Sequence, residues 1–472
     1  MQSPAIIKPC FPGNRTLLNR IPQSIACTLF IAFTGLASFQ TARAQSGSPA
    51  HAFHFNLKDC LDYAMKNQHD VKNALLNSQY SQEQVKESTA KLFPHATING
   101  TLVDNLKLPT SLIPDFANGD LSRKIPVQFG VKYNSSATGQ INQTIFNSNY
   151  FIGLKAAKVY KELSVKSLHS TEINTWVNVS KAYFNVLVNE EAIRIAHSNL
   201  AQIEKSLQDV KAEYHVGVAE TVDVNRIQVQ DNNARTGIEN QQRLLDLSLA
   251  ELKFQMGMSQ EDSLTLLETV KDFTPGAMPP ADTAGFNLNN RPEYTMQQIQ
   301  YQLNELSLKN VRLSYLPSLS AYLNYGYNFF SPTFSNLYNK GFGNSALGLD
   351  LSFPIFSGTE RIHQTNEAKI TLQESQNDLT NLVQQIHLQM RNTYITYQNN
   401  QAQLNTQKEN MNLTEGVYRR IQYKYEQGVA SSLDLLSAEN ELQQAQSNYI
   451  DALLNTLMSR VDLEQAVGKI NP

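Results

Sequence analysis

Four stretches of the chain alternate apolar and polar residues with period two. Leu319, Ala321, Leu323, Tyr325, Tyr327 and Phe329 alternate with Ser320, Tyr322, Asn324, Gly326 and Asn328. Leu347, Leu349, Leu351 and Phe353 alternate with Gly348, Asp350 and Ser352. Upstream, Ala96, Ile98, Gly100 and Leu102 alternate with His95, Thr97, Asn99 and Thr101. Val127, Phe129, Val131 and Tyr133 do the same with Gln128, Gly130 and Lys132. This period predicts β-strands with one apolar and one polar face, over 95–107, 126–146, 318–330 and 343–356. An ordinary half-buried sheet has the same pattern. Length and the aromatic residues crowded at 325–342 fit strands that cross a bilayer instead, with rings at its interface.

Between the strand pairs the period changes. Residues 147–214 contain no Pro and one Gly, Gly153. A helix of that length would run roughly 100 Å. Its apolar stripe has three-four spacing: Ile193, Ala196, Leu200, Ile203, Leu207, Val210, Tyr214. Such spacing over several turns predicts a coiled-coil seam. Gly217 then offers a helix stop. Asp223 stands near the start of a return helix, where a carboxylate meets the positive end of the dipole.

The same text is written twice. Tyr214, Gly217, Val218, Asp223 and Val224 return as Tyr425, Gly428, Val429, Asp434 and Leu435, each 211 positions on. The stripe returns in phase as Leu404, Gln407, Met411, Thr414, Tyr418, Ile421 and Tyr425. The flanks recur as well: Leu92-Phe93-Pro94 as Tyr315-Leu316-Pro317, and Phe146 as Phe356. A fixed-offset repeat makes the unit two strands plus a long helical hairpin. The predicted organisation is a signal peptide at 1–44, a first repeat at 45–257, a linker at 258–290 and a second repeat at 291–470. The first repeat holds a helix at 57–93 and a hairpin at 147–257. The second holds a helix at 292–316 and a hairpin at 358–468. Pro94 and Pro317 end the short helices and turn the chain into strand, so Pro94, Pro317, Phe146 and Phe356 mark the helix-to-strand transitions. In the linker, Leu264-Thr265-Leu266 suggests a short strand.

Charge adds the compartment. The first 44 residues carry Lys8, Arg15, Arg20 and Arg43 and no acid; an apolar run at 25–39 and Ala42-Arg43-Ala44 follow. That order predicts a secretory signal cleaved before Gln45, with His51 and His54 in the tail behind it. The rest has 35 basic and 42 acidic residues, which argues against nucleic acid. No later apolar run is long enough for a spanning helix. Of the three cysteines, Cys60 alone outlasts cleavage and has no intramolecular partner. Residues 24–26 before Cys27 lack the Leu of a lipoprotein processing site. No H-E-x-x-H, G-x-S-x-G or C-x-x-C occurs, and Met256 and Met258 form no methionine cluster. Gly341-Phe-Gly343 leads into an alternating strand, not the helix that a dinucleotide fingerprint needs. No enzyme chemistry, cofactor or metal is expected.

Four strands cannot close a barrel, and an open edge leaves backbone groups unpaired in hydrocarbon. Copies of the chain must therefore combine, apolar faces to lipid and polar faces to a wet lumen. In this duplicated order the chain resembles the TolC-type outer-membrane efflux ducts, the outer-membrane factor family. The matching residues are Leu57-Lys-Asp-Cys-Leu-Asp-Tyr-Ala-Met-Lys-Asn67, the two proline exits, the two Phe entries and the paired Tyr-x-x-Gly-x-x-x-x-x-Asp tips. The resemblance implies an α+β fold of long antiparallel coiled-coil hairpins and four transmembrane strands. It implies a homotrimer closing a twelve-stranded barrel that continues as a helical barrel. It also implies a periplasmic adaptor docked at the tips, an inner-membrane transporter behind it, and passive conduction of small molecules or proteins. Gly217, Gly428, Tyr214, Val218 and Val429 fall at the docking tips, and Asp434, Asp223 and Tyr425 at the pore constriction. Ser437 and Ala430 replace the family's second acid and its basic lock residue. Asp434 has two readings, a ring carboxylate or a solvated helix-start acid. In a ring, mutual repulsion would raise its pKa and draw in cations. The alternative for the whole chain is a periplasmic coiled-coil adaptor or scaffold.

Overall fold

A computed structural model describes residues 51–115, 120–273 and 286–472. The signal segment and the prolines at 275, 279 and 280 lie outside the described residues. The elements run β1 (Ala52–Phe55), α1 (Leu57–Asn67), α2 (His69–Ala90), β2 (His95–Asp104), β3 (Thr110–Asp115), β4 (Asp120–Gln128) and β5 (Tyr133–Phe146). Next come α3 (Ser148–His215), α4 (Thr221–Met256), β6 (Ser263–Leu266), α5 (Pro292–Leu313), β7 (Ser318–Ser331) and β8 (Gly341–Ser352). The chain closes with α6 (Glu360–Glu426) and α7 (Ser432–Ala466). The fold is α+β and dominated by helices.

Three expectations need correction. The helix expected at 57–93 is two. Gln68 ends α1 in an extended conformation, and its side chain accepts from the amides of Asp70 and Val71 to start α2. The break lies against Gly257 (φ +68°), where a Cβ would come 2.7 Å from the Asn67 carbonyl oxygen. The strand expected at 126–146 is also two. Gly130, at φ +103°, separates β4 from β5. β4 pairs with β3 in a ribbon of its own, and only β5 joins the main sheet. β5 gives a weak sequence signal: Asn134, Ser136, Thr138, Gln140 and Asn142 line one polar face, while Ser135, Gly139 and Gln143 interrupt Tyr133, Ala137, Ile141 and Ile145 on the other. Finally, His51 and His54 are not in a loose tail. β1 pairs in parallel with β6, His54 opposite Thr265, and the His51 amide donates to Asp262 Oδ1 at 3.1 Å.

The main core sits where α1, α3, α4, α7 and β6 converge. Tyr183, Val186, Leu187, Leu252, Met256 and Leu457 are buried there around Cys60 and Ala64. Burying each large side chain contributes about 1.5–3 kcal/mol, so this region anchors helices that are far more exposed elsewhere. Burial pushes the Cys60 thiol up to about 12. Glu268 ties three elements together: it accepts from the Tyr183 hydroxyl at 2.7 Å and the Leu57 amide at 2.9 Å. Arg291, 4 % exposed, donates to the Ala466 carbonyl at 2.8 Å, Gln389 Oε1 at 2.9 Å and Glu293 Oε2 at 3.2 Å. It thereby closes the negative end of α7 with a cation.

The main sheet has the order β2-β5-β7-β8, antiparallel throughout. The β5–β7 ladder joins the two repeats. β2 and β8 each have one neighbour, so both edges present unpaired backbone groups. Aromatic rings on β7 cover glycines on β8: Tyr322 opposite Gly348, Tyr327 opposite Gly343, Phe329 opposite Gly341. Leu347, Leu349 and Leu351 stand out from β8 at 67–81 % exposure. A contiguous apolar face of this kind marks a lipid or protein contact. No described helix is long and apolar enough to cross a membrane.

Candidate functional site at the hairpin tips

Each long helix ends in the same left-handed stop. Gly217 (φ +80°) donates to the Tyr214 carbonyl at 3.1 Å, and the Val218 amide to that of Glu213 at 2.9 Å. Gly428 (φ +69°) donates to Tyr425 at 2.8 Å, and Val429 to Lys424 at 2.9 Å. A Cβ at either glycine would meet nothing within 4 Å, so the backbone angle, not space, requires glycine. The return helices open with capping boxes. Asp434 accepts from the Ser431 amide at 3.0 Å and its hydroxyl at 2.8 Å; Asp223 accepts from the Glu220 amide at 3.3 Å. Each box contributes about 1 kcal/mol.

The two tips are joined side by side. Tyr425 on α6 packs among the apolar residues of both tips. Its hydroxyl donates to Glu213 Oε2 on α3 at 3.1 Å. The Ser432 hydroxyl donates to Asp223 Oδ1 across the same gap, and Arg226 Nη1 lies 3.5 Å from that oxygen. Lys205 Nζ approaches Glu426 at 3.6 Å. The Ser432 bond, the Glu220 amide and Arg226 hold Asp223 below the usual carboxylate range against some desolvation. Burial and the nearby Glu213, Asp223 and Asp209 raise the Tyr425 phenol well above its usual range. Above them, Glu439 on α7 is 7 % exposed, and burial pushes its carboxyl up to about 7 against a contact from Gln230. Tyr418, beside it, is pushed up to about 12 by burial, Glu439 and Glu426.

Asp223 and Tyr425 therefore share one site, in which the Tyr425 hydroxyl bonds to Glu213 and lies near the Asp223 charge. Asp434 is open to solvent and bonds only within its own cap. The Ser431 amide and hydroxyl, with Lys424 nearby, hold it below the usual carboxylate range, opposite to the rise expected of a ring. Ring repulsion acts between carboxylates of several copies, whereas within one chain Asp434 faces only its cap and Lys424. Tyr214, Val218 and Val429 are exposed at 45 %, 77 % and 76 %, Val218 and Val429 just beyond the glycines. Glu213, Ser432 and Glu439 escaped the sequence reading. Glu213 and Ser432 lie outside the matched positions of each motif, and Glu439 replaces Gln228 of the first repeat. Pro94 and Pro317 immediately precede β2 and β7, Phe146 ends β5, and Phe356 lies between β8 and α6. Among the described residues no group of His, Cys, Asp and Glu could hold a metal.

An open sheet with an apolar outer strand, carried on two matched helical hairpins, defines a membrane protein built from strands and coiled coils. The outer membrane efflux protein family matches residues 60–258 and 287–469, and the chain belongs to it. It is 22 % identical to the probable efflux pump outer membrane protein TtgC of Pseudomonas putida, over 93 % of this chain and 88 % of that one. It is 23 % identical to the alkaline protease secretion protein AprF of Pseudomonas aeruginosa, over 67 % of each. The crystal structure of the outer membrane protein VceC of Vibrio cholerae superposes with a TM-score of 0.68 at 14 % identity, covering 87 % of this chain and 96 % of that one. The protein is an outer-membrane efflux channel, which decides against the periplasmic adaptor or scaffold reading.

Proposed function

We propose that three copies form one conduit, the β8 edge of each pairing with the β2 edge of the next to close a twelve-stranded barrel in the outer membrane. The carrying observation is the sheet itself: two free edges, one apolar outer strand and strands of 10–14 residues. At about 3.3 Å per residue these span the apolar band of an outer-membrane barrel even when tilted. The helical hairpins continue the conduit into the periplasm. Their tips, with Gly217, Gly428, Val218 and Val429 outermost, receive a periplasmic adaptor coupled to an inner-membrane transporter. Asp434, Asp223 and Tyr425 surround the narrow end. The exposed Asp434 carboxylate lines the path and favours cations, while Asp223 and Tyr425 hold adjacent hairpins together. Cargo passes without chemistry: small molecules, as for the relative named an efflux pump protein, or proteins, as for the relative named for protease secretion.

The purified protein in detergent should have the mass of a trimer and conduct ions in planar bilayers. Asp434→Asn should move the reversal potential under a salt gradient toward zero, with the trimer intact. A monomer without conductance refutes the conduit, and an unchanged reversal potential removes Asp434 from the path.

A further inference from the structure

The aromatic residues near the outer end of the main sheet do not all serve one face. Tyr325, Tyr327 and Phe329 share a side of β7 with Leu319, Ala321 and Leu323, and that side continues into Leu347, Leu349 and Leu351 of β8. Phe330 and Phe342 belong to the other side, because alternate residues of a strand share a face. Phe330 is in line with Ser320, Asn324 and Asn328 on β7, and Phe342 with Asn344 and Asp350 on β8. Asn134, opposite Phe330, continues this face along β5 through Ser136, Thr138, Gln140 and Asn142. Two phenylalanines therefore interrupt the polar face, which the proposed barrel turns to its lumen. They do so at one level only. β2 and β7 leave the helices at Pro94 and Pro317, so Phe330 and Phe342 lie at the end of the sheet remote from the helices.

The two rings meet with centroids 6.1 Å apart, yet they are 51 % and 48 % exposed. Val103 on β2, opposite Asn134, adds a further exposed apolar group on the same face. The Lys340 ammonium lies 5.2 Å from the centre of the Phe342 ring, so a cation sits at the rim of the apolar patch. The acid on this face, Asp350, is far down β8, roughly 30 Å away at about 3.3 Å per residue. Uncovered rings of this kind favour an apolar partner, and an ammonium at their rim selects one that carries negative charge. We infer that Phe330, Phe342 and Lys340 form a binding site at the outer mouth of the conduit, one per copy, for organic anions with a flat apolar body, such as aromatic sulfonates or carboxylates. The body of the ligand lies against the two phenyl rings, and its acid group meets the Lys340 ammonium.

This inference rests on the conduit proposed above, because the polar face must line the path, and photolabelling separates the two. The full-length protein in lipid nanodiscs, irradiated with azidonaphthalene sulfonate, should carry the label on peptides within 326–344. Naphthalene sulfonate should protect these peptides, and naphthylmethylammonium should not. Phe330→Ser should weaken protection roughly 5-fold, the size of one aromatic contact. Lys340→Gln should weaken it by a similar factor, roughly 5-fold for one exposed charge pair. Lys340→Glu, an exposed change outside the strands, should exchange the preference, so that the ammonium analogue of the probe labels and the sulfonate does not. If the parent has trimer mass and conducts, but the label falls elsewhere or is unchanged by the Lys340 variants, this site is wrong and the conduit stands. If the parent is a monomer without conductance, the conduit fails and the exit site with it.

Discussion

Replacing Glu439 by glutamine should tighten the hairpin tips at neutral pH and remove their dependence on acid. Glu439 is 7 % exposed and its carboxyl titrates at about 7 instead of 4.5. The cause is desolvation, only partly offset by Gln230. The packed tip therefore prefers the neutral acid. Below the unperturbed pKa the group is neutral whether the tip is packed or open, and it costs nothing. As pH rises from about 4.5 to about 7 the open form ionises first, and packing loses stability. Above that window the loss is constant, at about 3 kcal/mol for the gap between the two values. A carboxamide at this position cannot ionise, keeps the shape and can still bond to Gln230. A long hairpin opens locally rather than all at once, so amide hydrogen exchange across 418–445, corrected for intrinsic rate, is the suitable assay. Protection in the parent should fall up to about 100-fold between about pH 5 and pH 8, and Glu439→Gln should hold its low-pH protection throughout. Parallel profiles for the two proteins would refute the assignment, because the buried carboxyl would then not be the group that loosens the tip.

Two further outcomes are expected. Gly428→Pro should leave assembly intact but abolish efflux in cells, since proline fixes φ near about −65° and the left-handed stop at φ +69° cannot form; normal export would show that the turn is not the docking surface. Arg291→Ala should lower the stability of the junction between α5 and α7 by about 2–4 kcal/mol, because it leaves the Ala466 carbonyl and Gln389 without their charged donor. Limited proteolysis should then cut near 290 or 466 under conditions that spare the parent.

The long helices were legible because nothing interrupts them: a stripe held in phase over many turns has no competing explanation. In the second copy of that stripe Leu404 and Tyr418 are buried even though Gln407 and Thr414 interrupt it. The second strand pair was legible for a similar reason, since β7 and β8 alternate strongly. β5 was read only as the tail of a longer strand because Ser135, Gly139 and Gln143 break up its apolar face and leave a weak period. The ribbon of β3 and β4 then captured the alternation of Val127 and Phe129. Helices α1 and α2 read as one because a glutamine cap is not a usual stop signal; the Gln68 side chain caps α2 where Gly257 packs against the backbone of the break. At the tips, matched glycines and aspartates announced themselves by repetition. The residues that join one tip to the other could not do so, because Glu213, Ser432 and Glu439 are where the two repeats differ. Duplication reveals what both copies share, whereas an interface between copies needs complementarity.

The parallel pairing of β1 with β6 has a consequence for how the chain becomes a protein. Phe55 opposes Leu266, 211 residues further along. The first strand among the described residues is thus among the last of the first repeat to find its partner. Until then Phe53 and Phe55 have no sheet to join, and the cradle around Cys60 is missing one wall. Such long-range closure is entropically slow compared with the local winding of α3 and α4. The β1–β6 pair therefore acts as a latch that shuts only after both arms of the first hairpin exist.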